Sequence, residues 1–465
     1  MNTKKIISGV AAIILAASFT ACGDSENTQE SSEALNEDEE ESLENVMSQF
    51  RDIELENKEI KWLAHYDLNP NTSDGASKKV ELEMFEKKYG GSIKYYPTTY
   101  ETRYSDLSTY VLGGEGIDFF PSDTNNLPKG ILSGMFQPVD DYIDLDSDIW
   151  SKTKTAMELM NFGVKHYEFV TDVTAEQVVI YNTQTIEENG FDDPWELYKE
   201  GKWNWDTFQN MLLDFVDEDN DMHGLDGWYN EKALFLSAGV PTVQAVDGRL
   251  VCNINDATVE KAMNFQYDLY NKGLVLPLEQ YDWSIQPQMM GEGRELFYLC
   301  GSWGIQGDPQ TWDIQMDPEK LGIAPVPSPA GSDPYQSATL QGYVLCKGAQ
   351  NPLGVALFSE CTIVAVNDPD AIAIYDRKAM DDSKWSEEII ARNKEINDLA
   401  RQYPVVDLAS GCSTDIANLT TDGGAQIGTR AAFHGTDWAT TRESISSTVE
   451  MLVSEADSQL QEMIK

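Results

Sequence analysis

Between residues 60 and 123, short apolar runs alternate with helical spacings. Ile60 to Tyr66 reads as a strand. Ser77 can cap a helix with Val80, Met84 and Phe85 on one face, Lys87 and Lys88 in the last turn, and Gly90-Gly91 as the stop. Ser92 to Thr98 reads as a second strand. Tyr104 to Leu112 is helical and stops at Gly113-Gly114. Ile117 to Phe120 is a third strand, and Pro121-Ser122-Asp123 turns the chain. This β-α-β-α-β order predicts an α/β fold with a parallel sheet and right-handed crossovers. Ligands of such open sheets sit outside the carboxyl ends of the strands. Those ends are Tyr66-Asp67, the loop after Thr98, and Ser122-Asp123.

The same alternation returns at residues 178 to 215. An apolar strand, Val178 to Tyr181, leads through Asn182 into a short helix stopped by Gly190. Pro194 opens a second helix and Gly201 ends it. Asn204 or Asp206 caps a third, flanked by Trp203 and Trp205. These two indoles pack that helix onto its own lobe. The module presents no nucleophile or general base.

The N-terminus has a different character. Lys4 and Lys5 precede Ile6 to Ala21, an uncharged and mostly apolar run, and Cys22 follows. Roughly 20 apolar residues are needed to span a bilayer, so residues 1–21 read as a signal peptide. Phe19-Thr20-Ala21-Cys22 is similar to a lipobox, which implies cleavage before Cys22 and a diacylglyceryl anchor on its sulfur. The expected location is therefore the extracellular face of a bacterial cytoplasmic membrane. Gly23 to Phe50 holds ten acidic residues and no basic one, so residues 22–52 read as an acidic, disordered tether reaching roughly 90 Å. No later apolar run is long enough to span a bilayer.

The 465 residues imply more than one core. With 33 basic and 79 acidic residues, the formal charge of −46 excludes nucleic acid as a partner and argues against docking on anionic lipid. Apart from Cys22, Cys252, Cys300, Cys346, Cys361 and Cys412 show no C-x-x-C spacing and read as buried free thiols. The four histidines sit in no H-E-x-x-H, and no G-x-S-x-G or P-loop occurs. Asp217, Asp219 and Asp221 alternate and could ligate Ca²⁺ through oxygen. Met222 stands where an EF-type loop needs Gly, however, and a polar solvated loop fits better. No other cofactor is expected.

The stretch from Tyr181-Asn182 through Gly190, Pro194 and Trp203-Asn204-Trp205-Asp206 to Phe208 resembles the signature of family 1 extracellular solute-binding proteins. These are the maltose-binding-protein-like receptors of ABC importers. ELEMFEKKYG (81–90), GGEGIDFF (113–120), GMFQPVDDYI (134–143), ATVEKAMNFQYDLYNKGLVLP (257–277), LFYLCGSWGI (296–305), LGIAPVPSPAG (321–331) and GYVLCKGAQNP (342–352) follow in the family's order. The resemblance covers roughly residues 55 to 460.

It implies two discontinuous α/β lobes joined by a hinge. We place lobe 1 at 53–170 plus 301–350 and lobe 2 at 171–300 plus 351–465. It also implies a non-enzymatic, monomeric receptor that passes a carbohydrate to permease subunits, with contact to the membrane only through the anchor. By the same resemblance, Trp303 in G-x-W stacks on the sugar and Trp438 is a second stacking position. Tyr66, Asp67, Ser122 and Asp123 hydrogen-bond hydroxyls, and Glu176 presents a polar group after the first crossing. Trp228 and Trp283 are further aromatic candidates. Two alternatives stay open: a surface-anchored glycoside hydrolase, and a receptor for a cationic ligand such as a polyamine.

Overall fold

The computed structural model describes residues 35–69, 78–228, 230–420 and 427–463. The expected signal peptide, Cys22 and the Ser77 cap lie outside the described residues. Three strands form where the apolar runs stand: β1 (Glu59–Ala64), β2 (Ser92–Pro97) and β3 (Phe119–Pro121), with β1 parallel to both others. α2 (Val80–Tyr89) and α3 (Arg103–Gly113) make the crossovers, each closed by a glycine in the left-handed conformation, Gly90 and Gly114.

β4 (Glu168–Ala175), β9 (Gln336–Leu345) and β10 (Pro404–Val405) complete a sheet of order β10-β9-β3-β1-β2, with β4 on β9. A second, four-stranded sheet has the order β8-β5-β7-β6, made of β5 (Val178–Asn182), β6 (His223–Gly227), β7 (Glu295–Cys300) and β8 (Leu321–Ala324). The molecule is a two-lobed α/β protein with one main sheet per lobe.

The lobe boundaries differ from those expected. β4 runs past Thr171, so the chain first leaves the first sheet at Glu176-Gln177. β8 pairs with β5 in the second sheet, so the return crossing lies after Ala324, not near Gly301. α9 (Pro352–Asn367) and α10 (Pro369–Ser383) pack on α2, and α9 also packs on β1, β4 and β9, which places both with lobe 1. α9 is apolar over most of its surface, which suits burial between layers.

The second-lobe module folds as its sequence directs. α4 (Thr183–Glu188), α5 (Pro194–Lys199) and α6 (Trp205–Phe215) are capped by the side chains of Asn182, Asp193 and Asn204. Trp203 and Trp205 are buried. Trp203 Nε1 donates to Pro325 O at 2.8 Å, and Trp205 stacks on Phe265 at 4.2 Å and 3°. Cys300, Cys346, Cys361 and Cys412 are free and buried, and Cys252 is half-buried.

The expected tether needs a larger correction. Residues 37–47 form α1 (Glu37–Met47), started by a capping box in which Asn36 and Glu39 satisfy each other's backbone N–H groups. Leu43, Val46, Phe50 and Leu55 enter the main core. The density of acids hid an apolar face at helical spacing, and four acids in the first turn suit the helix dipole.

β4 also carries Glu168, 2% exposed, with no hydrogen-bond partner for either carboxylate oxygen. Burial pushes its pKa up to about 8, and Ser122 is the polar neighbour that partly opposes this. The fold therefore favours the neutral acid. Stability should fall as pH rises from the unfolded value near 4.5 toward 8. Denaturant unfolding should show Glu168→Gln losing less stability than the native chain between pH 5 and pH 7.5, by on the order of 3 kcal/mol. Parallel pH profiles would contradict this reading.

Candidate functional site

The carboxyl ends of β1, β2 and β3 supply one wall of the candidate site. His65 and Tyr66 follow β1, with ring centroids 5.0 Å apart, and His65 also meets Tyr100 edge-on at 5.3 Å. Arg103, at the start of α3, lies 3.7 Å from the Tyr100 ring and 4.2 Å from the Tyr104 ring. Its Nη2 donates to Asp123 at 3.3 Å, and the Tyr104 hydroxyl donates to the same carboxylate. Asp123 Oδ1 also accepts from Asn125 N at 2.8 Å. Desolvation of its hydroxyl first, then the Asp123 charge, push Tyr66 up to about 12, although the residue as a whole is 41% exposed. Burial and the Arg103 charge hold His65 below the usual histidine range. At neutral pH this wall is aromatic, with one buried ion pair beneath it.

The second wall comes from the ends of the parallel pair β6 and β7. Trp228 follows β6, half-buried, with Nε1 3.4 Å from Asp313 Oδ2. Trp303 follows β7 on the turn Ser302–Ile305 and is 54% exposed. Its indole lies across Gly301, where an added Cβ would stand 2.1 Å from Nε1 and 3.0 Å from Glu176 O. The glycine is what lets the ring lie there. Trp283 is 54% exposed and packs against His434 at 4.9 Å. Asp282 and Trp283 both have positive φ, 52° and 60°, so the fold holds this indole out on a strained turn.

The walls meet at Glu176, between β4 and β5. Its carboxylate accepts from Lys232 Nζ at 2.6 Å, on α7 (Asn230–Leu236), and from the Ser337 hydroxyl on β9. Its N–H donates to Ser337 O at 2.8 Å. Burial works against the Lys232 ammonium, yet Glu176, Asp407 and Asp123 hold it above the usual lysine range. Both Glu176 oxygens are thus engaged at the hinge.

The structure brings Tyr66, Asp123, Glu176 and Trp303 into one neighbourhood. It does not bring in every candidate. Asp67 accepts from the N–H and Nδ2 of Asn69, at 2.9 and 3.0 Å, and so caps its own turn. Ser122 neighbours the buried Glu168. Trp438 is 2% exposed and belongs to the core, because it opens the long helix α12 (Trp438–Met463) whose apolar face is buried. Asp217, Asp219 and Asp221 do not converge. Asp217 accepts from Asp219 N and Asn220 Nδ2, while Asp221 pairs with His223 and Arg294. Among the described residues no group of three or more His, Cys, Asp or Glu could hold a metal ion. The acidic loop only borders an open depression of about 620 Å³ lined by Asp214 to Asn220, Asn189 and Met222. Residues not anticipated are His65, Tyr100, Arg103, Tyr104 and Lys232. The first four flank strand ends whose loops were legible in the sequence. Lys232 carried no local signal.

The model of the bacterial extracellular solute-binding protein family matches residues 69–360. The chain belongs to this family. Its members are non-enzymatic transport receptors, which sets aside the hydrolase alternative. Solved structures agree in fold. The sugar-binding protein of the phytopathogen Xanthomonas citri is 13% identical with a TM-score of 0.61, over 85% of this chain and 98% of that one. The cyclic α-maltosyl-1,6-maltose-binding protein of Arthrobacter globiformis is 13% identical with a TM-score of 0.60, over 85% and 99%. An ABC transporter solute-binding protein of Thermotoga lettingae, bound to α-D-tagatose, is 16% identical with a TM-score of 0.57, over 85% and 100%.

Proposed function

We propose that this solute-binding protein captures a carbohydrate, an oligosaccharide by preference, between its lobes and delivers it to an ABC import permease. One observation carries the reading. Among the described residues the exposed aromatic side chains are Tyr66, Tyr100, Trp283, Trp303 and Tyr375, and Tyr66, Tyr100 and Trp303 stand just past strand ends that line the candidate site. A pyranose offers an apolar C–H face to such rings and needs polar partners only at its rim. Several rings on two walls suit several sugar units, and structural neighbours bound to maltotetraose and to cycloalternan support an extended ligand.

The charges at the site disfavour a polyamine. Arg103 and Lys232 already occupy the carboxylates of Asp123 and Glu176, so a cationic ligand would have to displace them. Binding works by closure: contacts made to both walls at once favour the closed arrangement of the lobes. Cys22 anchors the mature chain, a single polypeptide per receptor, outside a bacterial cytoplasmic membrane.

A thermal-shift screen against glycans and polyamines tests the ligand class. A glycan at a hundred times its dissociation constant should add about 2.7 kcal/mol of stability. Mass spectrometry should return the bound glycan uncut after hours. Stabilisation by spermidine but by no glycan would sink the proposal.

A further inference from the structure

The segment before β1 is bound to one lobe only. α1 packs against α2 and α10, and Phe50 and Leu55 continue its contact with the core. Arg377 on α10 grips Glu39 through Nε and Nη2, the latter at 2.9 Å from Oε2. Arg51 makes two bonds to Glu360 on α9, at 2.6 and 3.3 Å. Gln49 Nε2 donates to Asp368 at 3.1 Å, and Lys87 and Lys88 of α2 reach Glu40 and Asp52. Glu360 is 2% exposed and also accepts from Trp150 Nε1, so the Arg51 contact ends in the core. These partners stand on α2, α9 and α10, or at Asp368, which joins α9 to α10.

We propose that residues 35–58 are a clasp that fixes the anchored end of the chain to lobe 1, so that lobe 1 is held at the membrane and lobe 2 is the lobe that swings. This rests on the proposed lipid on Cys22. The clasp shortens the free reach. From Cys22 to Asn36 the chain spans at most roughly 50 Å, against roughly 120 Å from Cys22 to Lys58 if α1 were undocked. It also joins the anchor to a rigid body, because α1 loses its freedom when its apolar face and both arginine pairs are engaged.

The test uses the full lipidated chain in phosphatidylcholine–phosphatidylglycerol vesicles, in a Cys252→Ser background. Leu112→Cys on α3 and Leu213→Cys on α6 carry a fluorophore, since both side chains are exposed, by 79% and 45%. Distances to a headgroup acceptor are read as distributions. The lobe 1 label should give the narrower one. Leu43→Asp with Val46→Asp, which undocks α1, should broaden it at least twofold. Protease cleavage within residues 37–47 is the second readout. It should be at least tenfold faster in Arg377→Glu and slow again toward the native rate when Glu39→Arg is added, short of full recovery because Glu39 also closes the capping box. A native lobe 1 distribution as broad as that of the undocked variant, or a narrower one on lobe 2, overturns the held lobe. Equal cleavage rates overturn the clasp. A native chain that never enters vesicles, like Cys22→Ser, overturns the anchor instead, and the cleavage rates still decide the clasp.

Discussion

Trp438→Ala is expected to lower the stability of the protein by about 3–5 kcal/mol, the range for truncating a large buried aromatic. The indole is 2% exposed at the first turn of α12 and packs into the main core. Its Nε1 is buried without a hydrogen-bond partner. That detail separates two substitutions. Trp438→Phe keeps most of the ring area and removes the unpaired donor, so its cost should stay below about 1.5 kcal/mol. Ligand affinity of the folded fraction should be unchanged in both. Equilibrium denaturation and calorimetry read the two quantities separately. A Trp438→Ala protein with native stability and lost affinity would return this residue to the ligand site.

Trp303→Ala should do the reverse. The side chain is half in solvent on a short turn, so its removal opens little of the core. Stacking of a base on an aromatic ring is worth roughly 1–3 kcal/mol, and a sugar face should reach no more. Affinity for the glycan found by the screen should fall roughly ten- to a hundredfold, at about 1.4 kcal/mol per decade. The melting temperature without ligand should stay near native. Gly301→Ala should weaken binding as well, because its new methyl group would occupy the place where the Trp303 indole lies. Full affinity in Trp303→Ala would remove the residue from the site.

These two tryptophans show what a motif can and cannot say. Each stands in a short element rich in small residues, G-S-W-G and H-G-T-D-W, and both resemble stacking positions. The first follows a buried strand whose end is the rim of a sheet, so its indole lies across Gly301 and stays half in solvent. The second opens a helix whose packing face was invisible locally, and there the ring becomes core. Asp67 and Asp123 diverge in the same way. Both follow parallel strands, but Asp67 caps its own turn, whereas Asp123 meets Arg103 and Tyr104 from the first turn of α3.

Local pattern along the chain accounts for the secondary-structure elements and the lobe class. Period, caps and glycine stops act between residues a few positions apart, so β1, β2, β3 and the module from Val178 to Phe215 were legible from pattern alone. The order of motifs along the chain added the family. Tertiary structure decided what depends on distant partners. α1 is a helix because α2 and α10 cover a face too sparse to outweigh ten acids on paper. β8 joins the second sheet because β5 pairs with it across more than a hundred intervening residues. Glu176 is engaged because Lys232 and Ser337 arrive from two other segments. A carboxylate or an indole carries the same letter in a cleft, a hinge or a core. Only the groups that long-range folding sets around it determine which it serves.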